Sequence, residues 1–244
     1  MAAYLNLPSL AHDFLKPSRV AANVVGNVIS GGANGVGESI TMDLSCGGMV
    51  TYELDANASS RNMEVHNYLD WLSARLNGGF RFINVPIWTD AKGPFPVLDG
   101  KKRAIIKGIP HSDGSLFSDG SGYSQATVWG EVTENAALNA GILKMRVYGL
   151  SRPLQWSDWF SIYHADKKGW RAYRHWEVLS ATDETNPVYT LALQPPLRAA
   201  VPAGTRVEFA RPLCAMKFAA DFNLPSETPG NYVRQVTLKF VEAF

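Results

Sequence analysis

The chain has 244 residues, 46% of them hydrophobic and 18% charged, with a formal net charge of +1. At 26.7 kDa it is long enough for one large or two small domains, and burying ~70% of its extended surface gives it a core without staples. Near-zero charge supplies no global field to recruit nucleic acid or an anionic membrane, and no apolar run approaches the ~20 residues of a membrane span.

Residues 1–19, with Pro8 and Pro17 bracketing Leu10–Leu15, read as an N-terminal arm holding at most a brief helical turn. The first residues lack the basic and apolar regions of a signal peptide, so synthesis and folding in a cytoplasm are expected. Val20–Ile29 is apolar and β-branched, as a strand requires. Gly31–Gly37 is a glycine-rich turn. Ile40, Met42, Leu44 and Cys46 alternate on one face, and Gly47-Gly48 turns the chain into Met49–Leu54, which predicts a hairpin between these two runs. Val65, Tyr68, Leu69, Leu72 and Leu76 then form an apolar stripe at helical spacing. This predicts an amphipathic helix over about 62–77, started by Ser59 or Ser60 and stopped by Gly78-Gly79. Phe80–Ile87 reads as a strand. Residues 88–125 are a long excursion rich in Gly, Ser, Asp and Pro around a short basic strand, Lys101–Ile109. Strands at Gln125–Thr133 and Ile142–Gly149 complete a β-rich domain over 20–150, and no internal repeat is evident.

In residues 151–244, Phe160–Ala165 and Trp170–Leu179 flank Asp166-Lys167-Lys168-Gly169 as a hairpin. Val188–Gln194 is a strand that must end at Pro195-Pro196, because two successive nitrogens carry no proton for the ladder. Leu197–Val201 reads as a turn of helix. Thr205–Phe209 and Cys214–Phe218 read as one strand interrupted at Pro212. Val233–Val241 is a last strand returning to the first domain. Short strands without a covering helix predict a small barrel, since closure removes exposed edges. The fold class is therefore mainly β: sandwich or barrel modules with one amphipathic helix.

Nothing in the chain assembles a known chemistry. The glycines at 31–37 precede alternating strand residues rather than a helix, which favours a flexible turn over a dinucleotide fingerprint. His164 and His175 face each other across the hairpin as a pair that could share a metal, and partly exposed hairpin histidines are favoured over that. His111-Ser112-Asp113 places triad residue types side by side, whereas real triads converge from distant segments. Asp113 and Asp119 lie in a loop whose spacing does not match an EF-hand. Cys46 and Cys214 read as two buried thiols rather than a disulfide. No catalytic, cofactor or metal site is assigned, and the chain does not read as an enzyme. The densest feature is the aromatic patch Trp156, Trp159, Trp170, Tyr173 and Trp176, with Arg171 and Arg174 interleaved. It reads first as core plus subunit contact, and second as a stacking platform for sugars.

Several strings between Phe160 and Phe218 carry a likeness: Phe-Ser-Ile, Trp-Arg-Ala-Tyr-Arg, Gln-Pro-Pro-Leu-Arg, Ala-Gly-Thr-Arg-Val-Glu-Phe and Arg-Pro-Leu-Cys-Ala-Met-Lys-Phe. They resemble tail-tip proteins of tailed, siphophage-like bacteriophages, as does the closing Phe-Val-Glu-Ala-Phe. The unit from Asp70-Trp71-Leu72 to Ile87 adds a weaker echo. The resemblance implies a structural part of the virion tail, similar to a distal tail protein and assembled in the host cytoplasm. It would form a sixfold or threefold ring that joins the tail tube protein to the baseplate hub. Neither a membrane nor a specific nucleic acid is among the implied partners. The arm at 1–19, with little core of its own, is expected to dock on a neighbour. The alternative is a lectin-like β-sandwich module for host adsorption.

Overall fold

The computed structural model describes residues 7–26, 28–43, 47–59, 62–89, 91–166, 169–220, 222–225 and 233–243. Residues 1–6 of the arm, Cys46, Ser60, the Lys167-Lys168 turn and the terminal Phe244 lie outside these. In chain order, the first elements are α1 (His12–Leu15), β1 (Arg19–Val25), β2 (Val28–Ala33), β3 (Ser39–Asp43), β4 (Met49–Ser59), α2 (Met63–Leu76) and β5 (Ile83–Pro86). Next come β6 (Val97–Leu98), β7 (Lys101–Lys102), β8 (Ile105–Ile109), β9 (Tyr123–Ala126), β10 (Trp129–Val132) and β11 (Ile142–Tyr148). The last are β12 (Trp159–His164), β13 (Gly169–Ala181), β14 (Val188–Gln194), β15 (Arg206–Glu208), β16 (Leu213–Phe218) and β17 (Val233–Glu242). The protein is mainly β, with one long amphipathic helix.

The chain forms two compact units that interleave in sequence. One comprises residues 1–87, 165–170 and 213–244, and the other residues 88–164 and 171–212. The division falls near 87 and 212 rather than near 150, because β10 and β11 close a barrel with β12–β15 and belong to the same unit as those strands.

The first unit is built on a sheet ordered β1-β4-β17-β16-β5, antiparallel at every pairing. Alternation along β4 buries Val50, Tyr52, Leu54, Ala56 and Ala58, while β17 adds Leu238 and Phe240. Helix α2 packs against β4 and buries Val65, Leu69, Leu72 and Leu76. Its start is Asn62, whose side-chain oxygen accepts the Val65 N–H at 3.4 Å. Ser59 instead ends β4, because strand pairing with β17 reaches that far. The helix stops at Asn77, already left-handed at φ 44°, one residue before the glycines. The arm is part of this unit. Ser9 bridges Asn84, Leu10 N–H donates to Asn84 O at 2.8 Å, and Leu10 and Leu15 are buried, so the described arm covers the β5 edge of its own sheet.

The predicted hairpin of 39–46 with 49–54 does not form. β3 pairs with β2, whereas β4 pairs with β1 and β17. The glycines at 47–48, at φ 84° and 103°, connect β3 to β4 without making them partners. β2 and β3 form a two-stranded ribbon, and every strand residue in it is exposed. Its turn is held by Asn34, whose side-chain oxygen accepts from Val36 N–H at 3.1 Å and Glu38 N–H at 2.9 Å. Phe80, expected in a strand, is instead 77% exposed ahead of β5.

The second unit is a closed barrel running β10-β11-β14-β13-β12-β15. Its interior is filled by Val132, Leu143, Met145, Val147, Phe160, Ile162, Tyr173, Leu191, Leu193, Val207 and Phe209. Closure pairs the backbone groups of a strand on both sides, which explains how short strands suffice here. β15 and β16 are not one strand: β15 completes the barrel and β16 belongs to the five-stranded sheet. Leu197–Val201 is not helical. Leu197 N–H donates to Ala140 O and Val201 bridges Ala136, so these residues run alongside the 136–140 turn. The 88–125 excursion carries two hairpins, β6–β7 and β8–β9, and is anchored to the barrel by buried Phe95 and Ala104.

That excursion also holds a repeat. Residues 111–116 (His-Ser-Asp-Gly-Ser-Leu) and 117–122 (Phe-Ser-Asp-Gly-Ser-Gly) fold into the same turn twice. In each, the aspartate Oδ1 accepts from the Oγ and N–H of the serine two residues on, at 2.7 and 2.9 Å. These bonds, the serine hydroxyl first, hold the Asp113 and Asp119 carboxyls below the usual range.

Candidate functional site

The aromatic patch divides once the strands are in place. On β13, Arg171, Tyr173 and His175 are buried in the barrel, while Arg174 on the opposite side is half-buried. Arg171 therefore does not belong to an outward set, since the strand's two-residue period sends it inside with Tyr173. A bulge between His175 and Glu177 breaks that period, and every residue from Trp176 to Ala181 is exposed. Trp159, at 6% exposure, lies beneath the Arg174 guanidinium, whose carbon is 5.5 Å from its ring centroid. Trp170 is half-buried and groups with the first unit. What remains at the surface is Trp156 at 72% and Trp176 at 58% exposure.

These two indoles line one open groove of about 1060 Å³ with Gln155, Ser157, Arg174 and Glu177. Its loop is fixed from below. Asp158, buried to 1%, takes two 2.8 Å bonds from the Arg152 guanidinium and a third from Gln155 N–H. Arg152 also donates to Pro153 O and Lys92 O. The Asp158 hydrogen bond and charge hold the Arg152 guanidinium even more firmly protonated than usual, against a smaller opposing effect of burial. A loop pinned at both ends presents Trp156 in one place, so the groove is preformed.

His164 and His175 are both buried, not partly exposed. His164 Nε2 lies 2.7 Å from the Tyr173 hydroxyl, which accepts from Arg198 N–H at 3.1 Å. His175 has both ring nitrogens buried without a hydrogen-bond partner, and burial pushes its pKa down. Arg174 adds to that shift, whereas Asp158 opposes it. Among the described residues no three His, Cys, Asp or Glu side chains gather as metal ligands. Asp113 bonds to Ser115 rather than to His111, whose ring packs edge-on against Phe117 and Tyr123. Cys214 is buried, its thiol 3.8 Å from Ala215 O.

Residue reasoning missed a second exterior stack. Trp129 on β10 pairs with Tyr148 on β11, their rings 4.2 Å apart and inclined by 18°, and Arg206 lies 5.0 Å from the Trp129 centroid. The three are far apart in sequence, so only the barrel register brings them together. No family model matches the chain, and no curated protein matches it.

Proposed function

We propose that this chain is a structural protein of a bacteriophage tail tip, present as several copies in a ring that joins the tail tube to the tip. The observation that carries the reading is the β2–β3 ribbon. Its strand residues are all exposed, and Val28, Ile29, Ile40 and Met42 stand between 51% and 64% bare. A two-stranded ribbon solvated on both faces is marginal by itself, and bare apolar β surface marks a place where another chain docks. The resemblance of residues 160–218 to tail-tip proteins names the setting. A ring needs two different complementary faces on each copy, and a projecting ribbon supplies one of them. The test is mass photometry and negative-stain imaging of the purified protein, alone and with tail tube protein. Cyclic particles are expected. A chain that stays monomeric at tens of micromolar and never enters tails assembled in its presence would overturn the reading.

A second reading, a carbohydrate-binding module for host adsorption, is favoured by one observation: Trp156 and Trp176 flank the same groove beside Arg174 and Glu177. Paired indoles stack on sugar faces while the charged pair takes hydroxyls. A glycan array read with Trp176→Ala decides it. Trp170→Ala is the control, since Trp170 groups with the other unit.

A further inference from the structure

The ribbon and the rest of the surface differ in charge. From Val28 to Asp43 the ribbon carries Glu38 and Asp43 and no lysine or arginine, for a net charge of −2. On the second unit, the hairpins β6–β7 and β8–β9 border a groove of about 430 Å³ whose lining includes Leu98, Ile106 and four cations, Lys102, Arg103, Lys107 and Arg211, against a single carboxylate, Asp99. Lys102, Arg103 and Lys107 are all exposed. Leu98 is 37% and Ile106 is 39% exposed, so the groove offers apolar surface within a basic rim. The ribbon offers the converse, apolar residues flanked by carboxylates.

We infer that the β2–β3 ribbon of one copy docks in the Lys102–Lys107 groove of the next copy. The inference rests on the ring reading and specifies its interface. The contact is heterologous, because a ribbon meets a groove rather than another ribbon, and such contacts repeat around an axis until they close. Opposite net charges set the register and speed the encounter, while burial of Ile29, Ile40, Leu98 and Ile106 supplies attraction. Docking also removes the cost of leaving a thin apolar ribbon in water.

Charge reversal tests this. Glu38→Lys with Thr41→Lys makes the ribbon positive, and Lys102→Glu with Lys107→Glu makes the groove negative. All four positions are exposed. Each pair alone should weaken self-association by roughly tenfold or more, because like charges then face each other. Mixing the two variants should restore assembly with an even number of copies, since each ribbon then meets a groove of opposite sign. All four changes in one chain should restore assembly without mixing. Unchanged thermal midpoints show that the variants fold. Independently, association of the unaltered protein should weaken as salt rises from about 0.05 to about 0.5 M, because screening tightens. Rings unaffected by the reversals and by salt would overturn this interface and leave the ring reading standing. Rescue by the fourfold variant while the mixed variants form not even a heterodimer would place the contact inside one chain and also overturn it. An unaltered protein that never associates would sink the ring reading itself.

Discussion

His175 is a neutral imidazole held in a place that resists charging. Burial lowers its pKa from 6.5, Arg174 lowers it further, and Asp158 only partly offsets them. The unfolded chain therefore binds a proton near pH 6.5 that the folded chain refuses until lower pH. Stability from this group is fully present above pH 6.5 and is lost as pH falls below it. Urea midpoints between about pH 7.5 and about pH 5 should show that fall, and His175→Gln should flatten it. An identical slope in the variant would refute the assignment. Asp158 is the converse case, a buried charge satisfied by Arg152 and Gln155. Asp158→Ala should cost about 3 kcal/mol in the urea-derived stability, because the Arg152 guanidinium then loses its partner. Neither role was visible in the chain. The Trp156–Trp176 aromatics were legible as a cluster, but which of them face water was not, since a bulge at 175–177 precedes the exposed run from Trp176 and a loop pinned by Arg152 and Asp158 presents Trp156.

Element boundaries followed local chemistry where the element buries one face. Helix α2 was readable from its stripe, and its interior depends on it. Leu69 is fully buried, and Leu69→Ala should cost about 3 kcal/mol by thermal or urea unfolding, as a cavity forms between helix and sheet. Asn62→Ala should cost about 1 kcal/mol through loss of the cap. Gly149, after β11, stands at φ 75°, and a methyl added there would lie 2.0 Å from Thr127 O. Gly149→Ala should therefore destabilise by more than either change, read on the same midpoint scale. β3 was given the wrong partner because alternation normally reports a buried face, and here neither face is buried. β2 was not foreseen: Val20–Ile29 read as one strand and Gly31–Gly37 as a turn, whereas β1 ends at Val25 and β2 runs from Val28 to Ala33.

At the level of the whole molecule, most of the second unit lies in sequence between two neighbouring strands of the first. Pro86 on β5 is paired with Leu213 on β16, so two of the four points where the chain passes between the units, after Ile87 and before Leu213, lie side by side. A segment whose ends are held together is able to close on its own, and the barrel has its own core. Residues 88–212 expressed alone should unfold in one cooperative thermal transition with near-ultraviolet ellipticity from the buried aromatics. A broad, non-cooperative melt would show that the barrel depends on the rest of the chain. The same arrangement explains why a boundary at 150 is misleading. The chain between β9 and β12 is continuous in sequence with the excursion and in space with the barrel.

Sequence alone determined the fold class, the one long helix, and most strands from Ile142 onward, because each arises from side-chain period, β-branching and proline or glycine at its ends. It also determined that the chain carries sparse charge and clustered aromatics. Tertiary structure decided which strands are neighbours, that Arg171 and both hairpin histidines turn inward, and that β2–β3 stands free of the sheet. Those outcomes depend on contacts between residues tens to hundreds of positions apart, such as Val50 with Glu242 and Tyr173 with Arg198. A local pattern states what a segment can bury, and only closure of the sheet and barrel states against what.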